Sequence, residues 1–441
     1  MWRPLFVAPY PALPMKSQYQ QTLDYLFAQL PMFHRIGAPA FKKDLTNTLL
    51  LCEHLGHPEQ RFRSVHIAGT NGKGSVAHML AAVCTAAGLK TGLYTSPHYR
   101  DFRERIKIDG MPIPRRTVVR FVQEHRVAFE QIKPSFFEWT VALAFHHFAK
   151  EKVDVAIIET GLGGRLDSTN VITPLLSIIT NIGFDHQQFL GDTLPAIAAE
   201  KAGIIKPAVP VVIGQTHPAT KSVFLQTAEL KNSPITFADE HYQAEPLGHD
   251  ERHTIYRIIH EGHTWPEPIA LQHLADYQRF NLPTVLQAFD LLKSMLPLEE
   301  PHLRTGLEHL KDLTGFIGRW EFIDERPRVL VDSAHNEDGI RLLVEGLRRI
   351  PHRRLFFVLG VVQDKSLDRI LPLLPKEARY CFAKADIPRG LDATTLQRAA
   401  RGPWPAGQGV HLCAQGIGSC PAHGSPRRRP RRGRWEHFHC G

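Results

Sequence analysis

Residues 66–75 read His-Ile-Ala-Gly-Thr-Asn-Gly-Lys-Gly-Ser, a pattern suited to holding phosphate. An apolar run ends at Ala68, a glycine-rich turn follows, and helix-competent sequence begins near Ser75. Gly69, Gly72 and Gly74 let the backbone approach an anion without Cβ interference. Amides at the start of the following helix then point at phosphate oxygens, flanked here by Thr70, Asn71 and Ser75. Lys73 reaches the terminal phosphates as a point charge. Gly74 separates that lysine from Ser75, so the spacing departs from the common nucleotide loop. A glycine-rich turn alone is weak evidence. This one follows a strand pattern, precedes a helix pattern and carries a lysine.

Three further clusters fall where apolar runs end. Glu159 opens Glu-Thr-Gly-Leu-Gly-Gly-Arg-Leu-Asp (159–167), and open α/β sheets place ligands at strand carboxyl ends. A carboxylate there suits Mg²⁺ beside a nucleotide. Asp185 and His186 follow the run 175–180, and Ser96 in Tyr-Thr-Ser-Pro-His offers a hydroxyl to a metal or, alternatively, a Ser-Pro turn. Glu200 and Lys201 meet an apolar Gly-Ile-Ile and, on residue chemistry alone, read as a solvated helix end. Further on, Gly318-Arg319 precedes a strand ending in Asp332-Ser333-Ala334-His335-Asn336. An arginine and an acid from a second domain would close over a nucleotide held by the first and exclude water.

The elements that position these residues alternate. The sequence predicts helix within 16–56, strands at 64–68, 153–158, 175–180 and 210–213, and helices near 75–87, 136–150 and 193–202. Residues 235–272 read as a β-rich appendage, 277–293 as a helix, and Pro297–Pro301 as a domain linker. A second unit follows: strand 328–332, helix 337–349, strand 354–360. Strand–helix alternation predicts an α/β protein with a mostly parallel sheet. The domains expected are 15–296, the linker 297–301, an incomplete 302–401 and a tail 402–441, with 1–14 an over-called or disordered start.

The chain of 441 residues is 43% hydrophobic, ordinary for a globular protein. No stretch approaches the ~18 apolar residues of a membrane span, and the proline-broken N-terminus is a poor signal peptide. Six cysteines lack a secretory spacing, which predicts free thiols in a reducing cytoplasm. The formal charge of +9 is concentrated: residues 402–441 hold six arginines and one acid, +5, leaving 9 − 5 = +4 for the rest. That balance calls for no nucleic-acid partner.

Taken together, these motifs resemble the folylpolyglutamate synthase/dihydrofolate synthase family of the Mur-ligase superfamily. The carriers are Gly-Thr-Asn-Gly-Lys-Gly-Ser (69–75), Tyr-Thr-Ser-Pro-His (94–98), Arg-Glu-Arg-Ile (103–106), Phe-Phe-Glu (136–138) and Glu-Thr-Gly-Leu-Gly-Gly-Arg-Leu-Asp (159–167). Asp-His (185–186), Glu-Lys-Ala-Gly-Ile-Ile-Lys (200–206), Gln278-x-x-Asn281, Gly-Arg (318–319) and Asp-Ser-Ala-His-Asn (332–336) complete the set. The resemblance implies a P-loop-containing Mur-ligase-type central domain followed by a smaller Rossmann-like C-terminal domain. It implies ATP at residues 69–75, Mg²⁺ on Ser96, Glu159 and His186, and a carbamylated Lys201, which overturns the bland reading of that lysine. Asn281, Arg319 and Asp332 match nucleotide-contacting positions, with His335 beside them. The implied reaction joins L-glutamate to dihydropteroate or to a folate (poly)glutamate through an acyl phosphate, releasing ADP and phosphate. A monomer with no membrane partner is expected. The competing readings are another Mur-type ligase, or a non-catalytic nucleotide- or nucleic-acid-binding protein using its basic tail.

The resemblance stops near residue 400. Residues 402–441 show no strand or helix pattern, and Cys413, Cys420, His423, His439 and Cys440 fit no common zinc module. A frameshift explains more. Read one nucleotide later, the Trp435/Glu436 junction must encode Gly, and its neighbours permit a Gly-Gly-Ser-Thr-Phe-like loop, with which the family normally ends. The same shift turns 427–433 into a permitted Asp-Asp-Leu-Val-Val-Val. The expectation is a second domain without its last helix and strand, and an impaired chain.

Overall fold

The computed structural model describes residues 16–29, 44–363, 365, 367–384, 390–401 and 411–412. The expectations for 1–14 and for the tail 402–441, apart from His411–Leu412, lie outside the described residues.

Eight strands form the main sheet in the order β4-β3-β2-β5-β1-β6-β7-β8. They are β1 Arg63–Ala68, β2 Thr91–Tyr94, β3 Ile106–Ile108, β4 Met111–Pro112, β5 Val155–Glu159, β6 Leu176–Ile179, β7 Val211–Ile213 and β8 Ile235–Phe237. Pairing is parallel from β2 to β8 and antiparallel only at β3 and β4. The central strands are apolar on both faces, as a sheet covered on both sides requires. Val155 and Ile157 pack with Val76, Met79 and Leu80 of the helix α1 (Lys73–Ala86). Ala156 and Ile158 face the other way, onto Trp139, Phe145 and Phe148 of α2 (Phe136–Glu151). Ser135 starts α2 with a capping box: its hydroxyl accepts from the Glu138 amide while Glu138 Oε2 accepts from the Ser135 amide.

The segment expected as an appendage divides. Its first strand, β8, joins the main sheet. The strands β9 Tyr242–His249, β10 Thr254–His260, β11 His263–Thr264 and β12 Ile269–Leu271 form a separate antiparallel sheet. The helix expected over 277–293 is α3, Leu282–Leu292, because Pro283 starts a new helix in its first turn.

The expected linker at 297–301 is corrected. Pro301 sits in the first turn of α4 (Glu300–Glu308), which packs on α1. A Cβ on Gly306 would lie 2.7 Å from Val83 Cα, so the two helices touch backbone to backbone. Leu303, Leu307, Leu310 and Phe316 are buried in the first domain's core. A short helix, α5 (Leu310–Thr314), follows, and the chain leaves the first domain after it. The second domain therefore begins near Gly318, not at 302.

That domain holds an antiparallel hairpin, β13 Glu321–Glu325 and β14 Arg328–Val331, the helix α6 Glu337–Leu347, and parallel strands β15 Phe356–Leu359 and β16 Arg379–Phe382. After α7 (Ala393–Arg401), β17 (His411–Leu412) pairs in parallel with Cys381 and Phe382. This strand lies where the sequence showed none; a two-residue pairing is too short to leave a period. Its core centres on Ile340, Val344, Tyr380, Phe382 and Leu396. Cys52 and Cys84 are buried free thiols, and among the described residues no helix is long and apolar enough to cross a membrane.

Candidate active site

The sheet order reverses at β1, with β5 on one side and β6 on the other, and the loops leaving these carboxyl ends meet there. Gly69 (φ +148°) passes so close to Thr180 that a Cβ would overlap its hydroxyl, and Gly72 (φ +84°) stands in the same relation to Asn281 Oδ1. The loops after β1 and β6 lock together: the Asn71 amide donates to Asn181 Oδ1 (2.8 Å), and the Thr70 amide to the Asn181 carbonyl (2.9 Å). Lys73 opens α1 with Gly72 as its N-cap, so the helix N-terminus faces the cleft. Its Nζ donates to the carbonyls of Gly69 (3.0 Å) and Thr70 (3.1 Å).

Glu159 ends β5 and is buried; its Oε2 accepts from the Ser96 amide (3.0 Å) after β2. Burial raises its pKa, against the pull of Lys73, the Ser96 bond and two arginines. Asp185 follows β6. Burial alone would raise its pKa, but the His335 bond and the charges of His186, His335 and Lys365 hold it far below the carboxylate range. His186 is pushed down to about 3, chiefly by burial. Lys201, near the end of the helix 194–202, is buried and donates to the Gly69 carbonyl (2.8 Å). Burial, then the charge of Lys73, brings its amine down to about 7.

The second domain supplies the opposite wall. His335 Nε2 lies 3.1 Å from Asp185 Oδ2, Asn336 Nδ2 donates to Asn71 Oδ1 (2.9 Å), and Lys365 Nζ lies 2.6 Å from Asp185 Oδ1. Arg319 is half-buried; desolvation opposes its charge, but Tyr99, Asp332, Tyr277 and Glu159 outweigh that and hold its pKa above the ordinary value. Asp332 lines the cleft, yet its oxygens accept from the Trp320 amide (2.8 Å), Tyr277 hydroxyl (2.9 Å) and Ala334 amide (2.7 Å). It therefore shapes the wall more than it offers a free oxygen. Asn281 donates to Gln278 Oε1 (2.7 Å), beside Ser75.

Lys73, Glu159, Asp185, His186, Lys201, Arg319, Asp332, His335 and Lys365 line one cavity of about 920 Å³. Ser96, Asn281 and the loop residues 69–75 line it as well. Sequence reasoning missed Lys365, although it follows the apolar run 356–362 and obeys the strand-end rule used for the others. It also assigned no role to Arg105, which lies on the Phe136 ring (5.5 Å) in the far end of the cavity. The donor set fits Mg²⁺. Ser96 and Glu159 offer hard oxygen and lie together, whereas no group of three or more His, Cys, Asp or Glu among the described residues is arranged to hold a metal. An ion with few protein ligands, completed by phosphate oxygens and water, is the usual arrangement for Mg²⁺.

A strand-end phosphate loop, a buried carboxylate and a second domain closing with an arginine define an ATP-dependent ligase of the Mur type. The Mur ligase middle domain matches residues 67–264, and the Mur ligase glutamate ligase domain matches 318–416. The second match begins where the structure places the second domain and runs past the 401 boundary drawn from sequence. The chain is 34% identical over 402 residues to the dihydrofolate synthase/folylpolyglutamate synthase of Bacillus subtilis, covering 88% of this chain and 90% of that one. It is 35% identical over 360 residues to the folylpolyglutamate synthase of Lacticaseibacillus casei, covering 79% and 81%. Among solved structures, Mycobacterium tuberculosis folylpolyglutamate synthase complexed with ADP superposes with a TM-score of 0.79 at 31% identity, covering 90% and 88% of the two chains. A folylpolyglutamate synthase–AMPPCP–folate complex superposes at 0.76 and 31%, covering 89% and 96%. The chain belongs to the folylpolyglutamate synthase/dihydrofolate synthase family.

Proposed function

We propose that the chain joins L-glutamate to dihydropteroate or to a folate already carrying glutamate, in two steps. The acceptor carboxylate attacks the γ-phosphorus of ATP, the bond to the β-phosphate oxygen breaks, and ADP leaves an acyl phosphate. The glutamate amine then attacks the acyl carbon, phosphate leaves with the C–O bonding pair, and the amine loses a proton. Lys73 and the amides from Gly72 to Ser75 hold the phosphates. Arg319 adds charge from the second domain, and closure keeps water from the acyl phosphate. Ser96, Glu159 and His186 would hold Mg²⁺, which would supply positive charge to the phosphate oxygens. Phe136, Phe137 and Leu162 give the far end of the cavity flat apolar walls suited to an aromatic acceptor. Lys201 is the group that takes up CO₂: a neutral amine forms the N–C bond and releases one proton. The enzyme works as a cytoplasmic monomer.

The observation that carries this reading is the meeting of Lys73, Glu159, Lys201, Arg319 and His335 in one cavity between the domains. ADP release tests it: sustained turnover requires both dihydropteroate, or a folate, and L-glutamate. Release with another acid in place of the pterin compound would assign the chain to a different Mur-type ligase. Salt-sensitive DNA binding lost on deleting 402–441 would favour the non-catalytic reading.

The out-of-frame origin of residues 402–441 belongs to the same reading. The composition of residues 402–441, rich in Gly, Pro and Arg and without a strand or helix pattern, supports it. Turnover of the chain as written is then below that of the corrected one. Sequencing the genomic DNA across codons 395–441 tests it; a confirmed frame refutes it.

A further inference from the structure

Helix α1 carries His78 one turn after Gly74 of the phosphate loop. His78 Nδ1 lies 2.7 Å from the Gly74 carbonyl oxygen. A carbonyl only accepts, so Nδ1 carries the proton and the tautomer is fixed. Burial holds this imidazole neutral, its pKa pushed down to about 3. The face of the ring lies on Phe316, with centroids 4.6 Å apart, and His273 lies against Phe316 at 5.4 Å.

Phe316 sits in the connector between the domains. Lys107 Nζ fixes the start of this connector by donating to the carbonyls of Thr314 (2.8 Å) and Gly315 (3.0 Å). Gly315 (φ +59°) and Gly318 (φ +78°) turn the chain on either side of Phe316. A Cβ on Gly318 would lie 2.5 Å from the Tyr99 ring, so the backbone crosses that ring in contact. The next residue is Arg319.

We propose that His78 is a positioning residue that couples the phosphate loop to the connector, so that nucleotide binding helps seat Arg319. The path is short: the Gly74 carbonyl, the His78 ring, the Phe316 ring, then three residues of chain. What the path would transmit is a local rearrangement: Lys73 donates to the loop's own carbonyls, and its Nζ must leave them to reach a phosphate. The inference rests on the reading of residues 69–75 as the ATP site.

Two variants separate its parts. His78→Asn keeps a donor where Nδ1 stands and removes the ring; His78→Phe keeps the ring and removes the donor. Hydrogen exchange with and without a non-hydrolysable ATP analogue and Mg²⁺ reads both ends of the path. In the unaltered chain the analogue protects amides 72–76 and slows exchange in 314–319 several-fold. In both variants the loop keeps its protection and the connector loses most of its gain. His78→Phe also lowers kcat with little change in the KM for ATP. Connector protection that persists in both variants, or that never occurs in the unaltered chain, overturns the coupling. No protection of the loop in the unaltered chain refutes the ATP reading instead. Should His78→Asn fail to fold, His78→Phe, which preserves the packing, decides alone.

Discussion

Lys201 gives a prediction whose size and sign follow from its surroundings. Its amine stands at about 7 in the folded chain against 10.5 in the open, because burial removes water and Lys73 adds a like charge. At about 1.36 kcal/mol per unit, that difference amounts to roughly 5 kcal/mol. Below pH 7 both folded and unfolded chains hold the proton, and the full cost of burying the ammonium is present. Between pH 7 and 10.5 the unfolded chain binds more protons than the folded one, so stability rises with pH. Near pH 7 about half of the folded amines are neutral, against a few in ten thousand for an ordinary lysine. That neutral fraction is what CO₂ uptake needs.

Lys201→Met removes the titration. In CO₂-free buffer the variant is more stable than the unaltered chain at pH 6 by about 5 kcal/mol, less the loss of one hydrogen bond, about 1 kcal/mol. The gap closes by about 1.4 kcal/mol per pH unit above 7. Urea unfolding of both proteins from pH 6 to 10 measures it, and the difference between the two curves cancels all other groups. Parallel curves would refute the argument that this lysine is dry. Restoring CO₂ should raise ligase activity of the unaltered chain and leave the inactive variant unchanged.

Three further outcomes are expected. Lys73→Ala leaves the fold intact and lowers kcat for ADP release by about 10²–10³-fold, the usual loss of one donor to developing phosphate charge; Glu159→Ala behaves alike, and unchanged turnover in either refutes its role. His66, His78 and His273 are each held down to about 3, mainly by burial, so stability falls as pH drops from 6.5 towards 3, by up to ~1.4 kcal/mol per unit for each. Acid unfolding of His66→Gln should show a shallower slope by one proton. Gly72→Ala costs about 1–2 kcal/mol from its left-handed backbone, plus displacement of Asn281; it should lower Tm and raise the KM for ATP together.

What was legible in the sequence depended on one rule. Strand runs such as Val-Asp-Val-Ala-Ile-Ile are apolar on both faces, and the polar residues that follow them cluster at one sheet edge. That rule found Glu159, Asp185 and the 69–75 loop without help. It did not find Lys201, which lies on a helix whose burial depends on packing against other elements; only the resemblance identified it. Prolines misled at 297–301, since Pro301 starts a helix as readily as it breaks one. The true exit at 315–318 shows only as Gly-Phe-Ile-Gly, because its meaning lies in tertiary contacts: Lys107 on the carbonyls before it and two histidines around Phe316.

The electrostatics of the cleft explain why two domains are needed. The first domain contributes two lysines and a glutamate to the cleft, and burial disfavours the charged form of all three. Their hydrogen bonds go to backbone: Lys73 and Lys201 share the Gly69 carbonyl, and Glu159 holds the Ser96 amide. None of these is a rigid ion pair that a phosphate must break. Asp185 differs, since Lys365 and His335 both reach it from the second domain. It ties the domains together through its own negative charge, at the place where phosphate oxygens would compete for the same cations. Removing that carboxylate with Asp185→Asn should therefore loosen the closed arrangement while leaving the first domain's pocket built, because the remaining loop contacts at Asn71, Thr70 and Asn181 do not involve it.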